Sequence, residues 1–162
     1  MHFWLTVEML FLLALANGTP VILKDILGTR FARPVDGGSI IADGRPLFGP
    51  SKTIRGIVFS IVVTSIGSYL IGQRWEIGAL IAGVAIAGDL FSSFLKRRMN
   101  LPAGSKATGL DQIPESLLPL LVCRTALALT VPDILVAVAI FFFGEKYLSI
   151  LLYHFHLRDR PY

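Results

Sequence analysis

The segment GDLFSSFLKRR, residues 88–98, sets an aspartate in an apolar run and closes on three consecutive cations. Asp89, Ser93 and Lys96 lie at offsets of four and seven, so a helix would carry them on one face, with Arg97 at its border. The next stretch, MNLPAGSKATGLDQIPE, places Lys106 between two glycines and Asp111 just ahead of Gln112 and Pro114. Two carboxylates from adjacent elements, ringed by Lys and Arg, are hard-cation ligands beside phosphate-binding charges, as Mg2+-assisted phosphoryl or nucleotidyl transfer needs. The same residues admit an architectural reading. Lys96, Arg97 and Arg98 would anchor a membrane helix, Asp89 would pair with one of them, and Asp111 would cap the following helix.

The elements that must position these residues are apolar. With 54% hydrophobic residues and a mean hydropathy of +0.68 over 162 residues, the chain lies beyond ordinary soluble domains. It reads as one all-α integral membrane domain with five transmembrane helices, near 2–23, 54–71, 77–95, 117–131 and 134–152, and cytoplasmic loops near 24–53 and 96–116. Small residues recur every fourth position in the second and third spans (Gly56, Ser60, Thr64, Ser68, Gly72; Ala79, Gly83, Ala87), which predicts that these two helices pack together. The single cysteine, Cys123, excludes an internal disulfide and suits a buried helix position.

A net charge of +4 would suggest nucleic acid in a soluble protein, but here its placement matters more, and no nucleic-acid partner is expected. Six Lys and Arg lie in 24–55, four follow the third span, and Arg158 and Arg160 lie in the tail, against Arg74 alone on the opposite side. The positive-inside rule then puts the amino terminus outside and the loops and carboxyl terminus in the cytoplasm. Ala14-Leu15-Ala16 resembles a signal-peptidase site, yet no basic region precedes the first span and Glu8 interrupts it, so a retained helix is expected.

The first loop carries Asp43-Gly44 between short apolar pieces, the pattern of a hairpin turn. Within it FGPSKTIRG has a superficial likeness to a phosphate-binding P-loop, but Pro50 and Ser51 separate Gly49 from Lys52, and a proline removes an amide donor. Lys52 and Arg55 remain either point charges for a phosphate or membrane anchors. A carboxylate at the depth of Asp89, about 10 Å inside the basic end of its helix, costs roughly 2.5–3.5 kcal/mol on insertion scales. A basic residue, a proton or a bound cation must compensate it.

GDLFSSFLKRR, taken with Lys106 and Leu110-Asp111-Gln112, resembles the signature of the membrane cytidylyltransferases that activate lipid phosphates. ANGTPV (16–21), DGRPLFGPSKTIRG (43–56) and the short length resemble the archaeal CDP-archaeol synthase branch. The His-Gly-Gly of the larger family is missing before Asp111, so no histidine role carries over. The resemblance implies Mg2+-dependent transfer of CMP from CTP to 2,3-di-O-geranylgeranylglyceryl 1-phosphate. Asp89 and Asp111 would hold one or two Mg2+ ions and, with Lys96, form the catalytic set. Lys96, Arg97 and Lys106 would clamp phosphates, Lys52 and Arg55 would close the site, and Ser93 would bond a phosphate oxygen or its own helix. Asn17 beside Pro20 would line the same cavity or bond a neighbouring helix, and the backbone near Asp36, Gly37 and Gly38 would read cytosine. Glu8, Arg124, Glu145 and Lys146 are expected to form structural pairs away from the site. A small ion-coupled transporter and a non-catalytic membrane scaffold are the competing functions, though no internal repeat favours the first.

Overall fold

The computed structural model describes residues 2–103, 105 and 107–154, with side chains as far as Tyr147. Among the described residues five helices are formed: α1 (Phe3–Leu27), α2 (Ile54–Leu70), α3 (Trp75–Arg98), α4 (Gln112–Val122) and α5 (Val131–His154). Among the described residues, α1 and α3 are long and apolar enough to cross a membrane, and α2 is a shorter apolar helix of 17 residues. Pro20 lies inside α1 without ending it. The tail arginines, Arg158 and Arg160, lie outside the described residues.

The helices are inside out by the standards of water. In α2 the buried positions are Gly56, Ser60, Thr64, Gly67 and Ser68, while Val58, Phe59, Val62, Ile66 and Leu70 are exposed. A helix in water turns its large apolar side chains inward; one in lipid turns them outward and packs on small residues. Trp4, Tyr69 and Trp75 are exposed at one end of the bundle, where His2 meets Asp133 and Gln73 Nε2 donates to Glu8 at 2.8 Å. An aromatic ring at that level suits a membrane–water interface.

The expected pairing of α2 with α3 is formed, but only the α2 stripe is the predicted one. Its lower half meets α1: a Cβ on Gly56 would lie 3.3 Å from Pro20, and Ser60 Oγ donates to Ala16 O at 2.6 Å. Its upper half meets α3 at Gly78, where a Cβ would lie 2.4 Å from Thr64 O. On α3 the packed residues are Gly78, Ala82 and Ala85, whereas Ala79 and Gly83 are only half-buried and Ala87 is exposed. The difference is one residue of helix rotation, and it matters, because 78, 82, 85 and 89 form one stripe. Asp89 is thereby turned into the bundle.

The fourth expected span, 117–131, is not a single helix. α4 starts earlier and stops at Val122 after 11 residues, about 17 Å against a hydrocarbon core of about 30 Å, and a turn carrying exposed Arg124 leads into α5. Much of the second loop instead descends into the bundle beside α3. Arg97 Nη2 donates to Pro102 O (2.7 Å), Lys96 Nζ to Ser105 O (2.9 Å) and Ser92 Oγ to Leu110 O (2.6 Å), each a step further down the helix. At Gly88 the α4 backbone touches α3, and a Cβ there would lie 2.6 Å from Pro114 O. Irregular backbone at such depth needs its polar groups satisfied by protein, and this ladder does that.

Loop 1 forms the expected hairpin. Ile40 bridges Pro46, Gly44 N donates to Ile41 O at 2.8 Å, and Gly44 has a φ of 73°, a conformation that favours glycine. Its tip lies on the carboxyl end of α3: Arg45 Nη1 donates to Arg98 O at 2.5 Å, and Arg98 pairs with Asp43 and lies 5.2 Å from the Phe94 ring. A guanidinium at a helix carboxyl end meets unsatisfied carbonyls and the negative end of the dipole. Asp36 organises the rest, accepting from Phe48 N and Gly49 N (both 2.9 Å) and Gly38 N (3.0 Å). Burial pushes the Asp36 carboxyl up, but these amides outweigh it and hold it below its ordinary value.

Two predictions follow from this packing. Gly88→Ala should lower the thermal unfolding temperature in detergent, because overpacking by about 1–3 kcal/mol exceeds the roughly 1 kcal/mol that Ala gains over Gly in a helix. Gly83→Ala, with nothing within 4 Å of its Cβ, should be neutral or mildly stabilising in the same scan. Because the Asp36 carboxyl is depressed, its contribution is complete above the unfolded-state value and fades as pH falls through about 4 and below. Limited proteolysis at pH 7 should therefore cut loop 1 faster in Asp36→Ala than in the parent, and the parent's rate should rise toward that of the variant as the pH is lowered below about 4.

Candidate active site

Asp89 sits on the inward stripe of α3, ten residues before Met99 ends the helix. Its partner is not in the Lys96-Arg97-Arg98 run but in loop 1: Lys52 Nζ lies 2.5 Å from both Oδ1 and Oδ2. The pair is partly open, with side chains 22% and 26% exposed. Loop 1 delivers Lys52 through backbone bonds at and just after it, Val35 N to Lys52 O (2.8 Å) and Ile54 N to Arg33 O (3.0 Å), while Thr53 caps α2. The amides of Phe48 and Gly49, which a P-loop would offer to phosphate, are occupied by Asp36.

Asp111 forms a second, similar pair. Its Oδ1 lies 2.7 Å from Lys96 Nζ, an ion pair whose angles fall outside a hydrogen bond, and its Oδ2 accepts from Ala107 N at 3.0 Å. The carboxylate therefore does not cap α4; Gln112 Oε1 takes Gly109 N instead, at 2.7 Å. Lys96 and Asp111 are 6% and 8% exposed. An ammonium has three donors, and Ser105 O and Asp111 engage two of those on Lys96. The outcome is two lysine–aspartate pairs that cross between α3 and the loops: Lys52 of loop 1 with Asp89 of α3, and Lys96 of α3 with Asp111 of loop 2.

The other expected site residues fall into three groups. Ser93 and Arg97 are buried on the same part of α3, and Arg97 has an Nε without a hydrogen-bond partner among the described residues. Arg55 and Asn17 are engaged elsewhere: Arg55 donates to Gly28 O (2.6 Å) and Arg30 O beyond the end of α1, and Asn17 Nδ2 to Leu13 O of its own helix (3.1 Å). Lys106 lies outside the described residues. A cavity of about 350 Å3 opens at the end of α3, lined by Arg45, Pro46, Arg97, Asn100, Leu101, Pro102 and Ala103. It includes neither aspartate.

Two acids belong closer to Asp89 than their sequence positions imply. Glu115 is 6% exposed, and Asp89, Glu145 of α5 and Lys52 all lie near enough to act on its charge. Glu145 is thus no remote structural charge, because α5 crosses the bundle beside the start of α4. Glu8 does form a remote polar pair as expected, with Gln73, and Asp133, on which no sequence expectation fell, pairs with His2 and Thr130. Glu115 had a sequence signal: an acid four residues after Asp111, on one face of an otherwise apolar helix.

Residues 64–162 match the family model described as CarS-like, CDP-archaeol synthase. The CDP-archaeol synthase of Pyrobaculum arsenaticum is 32% identical over 152 residues, covering 91% of this chain and 91% of that protein. That of Thermococcus onnurineus is 38% identical over 109 residues, covering 60% of this chain and 61% of that protein. The match thus spans about three-fifths of the Thermococcus relative's length. A solved structure of an intramembrane enzyme for archaeal membrane lipids biosynthesis superposes with a TM-score of 0.71 at 30% identity, covering 89% of this chain and 92% of that one. Asp89, Lys96, Asp111 and Glu115 fall within the family match, and with a 32% identical relative running over nine-tenths of its length this chain belongs to the CDP-archaeol synthase family.

Proposed function

We propose that the protein is a CTP-dependent cytidylyltransferase. It transfers the CMP unit of CTP to 2,3-di-O-geranylgeranylglyceryl 1-phosphate and releases pyrophosphate. The observation that carries this reading is the pair of lysine–aspartate contacts on one inward face of α3, in a chain of this family. Polar groups in that setting serve a nucleotide arriving from water and a phosphate held at a lipid surface.

An oxygen of the lipid phosphate, already anionic at neutral pH, attacks the α-phosphorus of CTP. The bond from that phosphorus to the bridging oxygen breaks, and pyrophosphate leaves with its electron pair. No protein nucleophile or base is required, so the work of the chain is positioning and charge neutralisation. Lys96 holds loop 2 against α3 while keeping a donor for phosphate. Arg97, with its unpartnered Nε, and Arg45 line the cavity at the cytoplasmic end of α3 and supply cationic groups for the distal phosphates.

The donor set suits Mg2+. Asp89 and Asp111 offer oxygens, and among the described residues no group of three or more His, Cys, Asp or Glu side chains is arranged to hold a metal alone. A cation there would take its remaining ligands from phosphates and water, which is how Mg2+ is commonly bound. One or two Mg2+ ions held by Asp89 and Asp111 would draw off phosphate charge during the displacement. The amino terminus is assigned to the outside and the site to the cytoplasmic end, in keeping with the basic residues of both loops and the aromatic ring opposite.

Purified protein given labelled CTP, Mg2+ and the lipid phosphate should form CDP-lipid and pyrophosphate; absence of both products would overturn the assignment. Asp89→Asn and Asp111→Asn should each reduce kcat by about 100-fold or more while still unfolding cooperatively, Asp111→Asn at a lower temperature because it leaves the buried Lys96 ammonium unpaired. For orientation, in a Cys123→Ala background a membrane-impermeant maleimide should label Glu76→Cys in intact cells. Ser39→Cys should be labelled only in inverted vesicles.

A further inference from the structure

We infer that Lys52 is a tethered stand-in for the metal, closing on Asp89 when the site is empty and leaving when a divalent cation binds. The inference rests on the assignment of Asp89 as a metal ligand. Lys52 Nζ lies 2.5 Å from both oxygens of that carboxylate, the edge a cation would occupy. An unpaired carboxylate at this depth beside the buried Glu115 would be costly, so an empty site needs a resident cation.

Lysine suits that role better than arginine would. Its compact ammonium on a flexible four-carbon stem can move away without the loop moving, whereas a guanidinium would hold the carboxylate in a planar fork. The Lys52 backbone is fixed on both sides, its amide donating to Gly49 O at 3.3 Å and its carbonyl accepting from Val35 N at 2.8 Å, so only the side chain needs to swing. Its 22% exposure gives it a way out. The released ammonium is then free to meet a phosphate, so metal binding and phosphate binding by loop 1 become one event.

The inference makes metal affinity depend on the closed fraction. If Lys52 is closed about nine-tenths of the time, the apparent affinity for a divalent ion is weakened about tenfold. Mn2+ binding without nucleotide, followed by electron paramagnetic resonance, should therefore tighten about tenfold in Lys52→Gln and weaken below the parent value in Lys52→Arg. In the parent protein Mn2+ should raise the rate at which an amine-reactive reagent modifies Lys52, read by peptide mass spectrometry. That readout needs no variant to fold. Unchanged Mn2+ affinity in Lys52→Gln, or unchanged labelling, would overturn the stand-in role while the metal assignment stands, provided Asp89→Asn abolishes Mn2+ binding. Mn2+ binding that survives in Asp89→Asn would overturn both.

Discussion

A carboxylate turned into an apolar bundle has to be compensated, and the arrangement of this protein follows from how Asp89 is. The stripe of Gly78, Ala82 and Ala85 that packs α3 on its neighbours also aims Asp89 inward, one turn past Ala85. Its compensation comes from Lys52, more than thirty residues earlier, rather than from the cations that follow it on its own helix. Loop 1 must therefore be a folded element. Asp36 holds the turn that leads to Lys52, and the hairpin tip grips the end of α3 through Arg45 and Asp43.

The second loop answers the same requirement from the other direction. Its descent beside α3 brings Asp111 to Lys96 and starts α4 deep enough for Glu115 to meet Asp89. Gly88 permits that approach, since any side chain would displace the Pro114 backbone. Arg97, Lys96 and Ser92 satisfy loop carbonyls in the order in which the chain descends. Three of the residues in GDLFSSFLKRR thus build the loop whose Asp111 completes the constellation. One of them, Arg97, holds the loop through Pro102 O and also lines the cavity at the end of α3.

Membrane character and site geometry share one origin in this chain. Lipid lets the helices bury glycine, serine and threonine, because close backbone contact and hydroxyl bonds replace hydrophobic burial as the cohesive force. Ser60 donating to Ala16 O is such a bond, and Gly78 against Thr64 O such a contact. A core of this kind tolerates polar residues at the end that carries the two loops, where the apolar cluster of Met9, Leu12, Leu13, Ile81 and Leu120 gives way to paired charges.

What the sequence determined alone was mostly local. Apolar run lengths located α1, α2, α3 and α5 to within a few residues, Asp43-Gly44 marked the hairpin, and the offsets of Asp89, Ser93 and Lys96 set their common face, because helix period and turn conformation are properties of neighbouring residues. The motif through Asp111 also carried the family. Only the tertiary structure decided which lysine meets which aspartate, which α3 stripe is packed, that α4 is short, and that Glu115 and Glu145 lie near Asp89. Each of those depends on the rotation and depth of one element against another, set by close contacts such as Gly88 with Pro114, and a one-residue difference in rotation changes every partner.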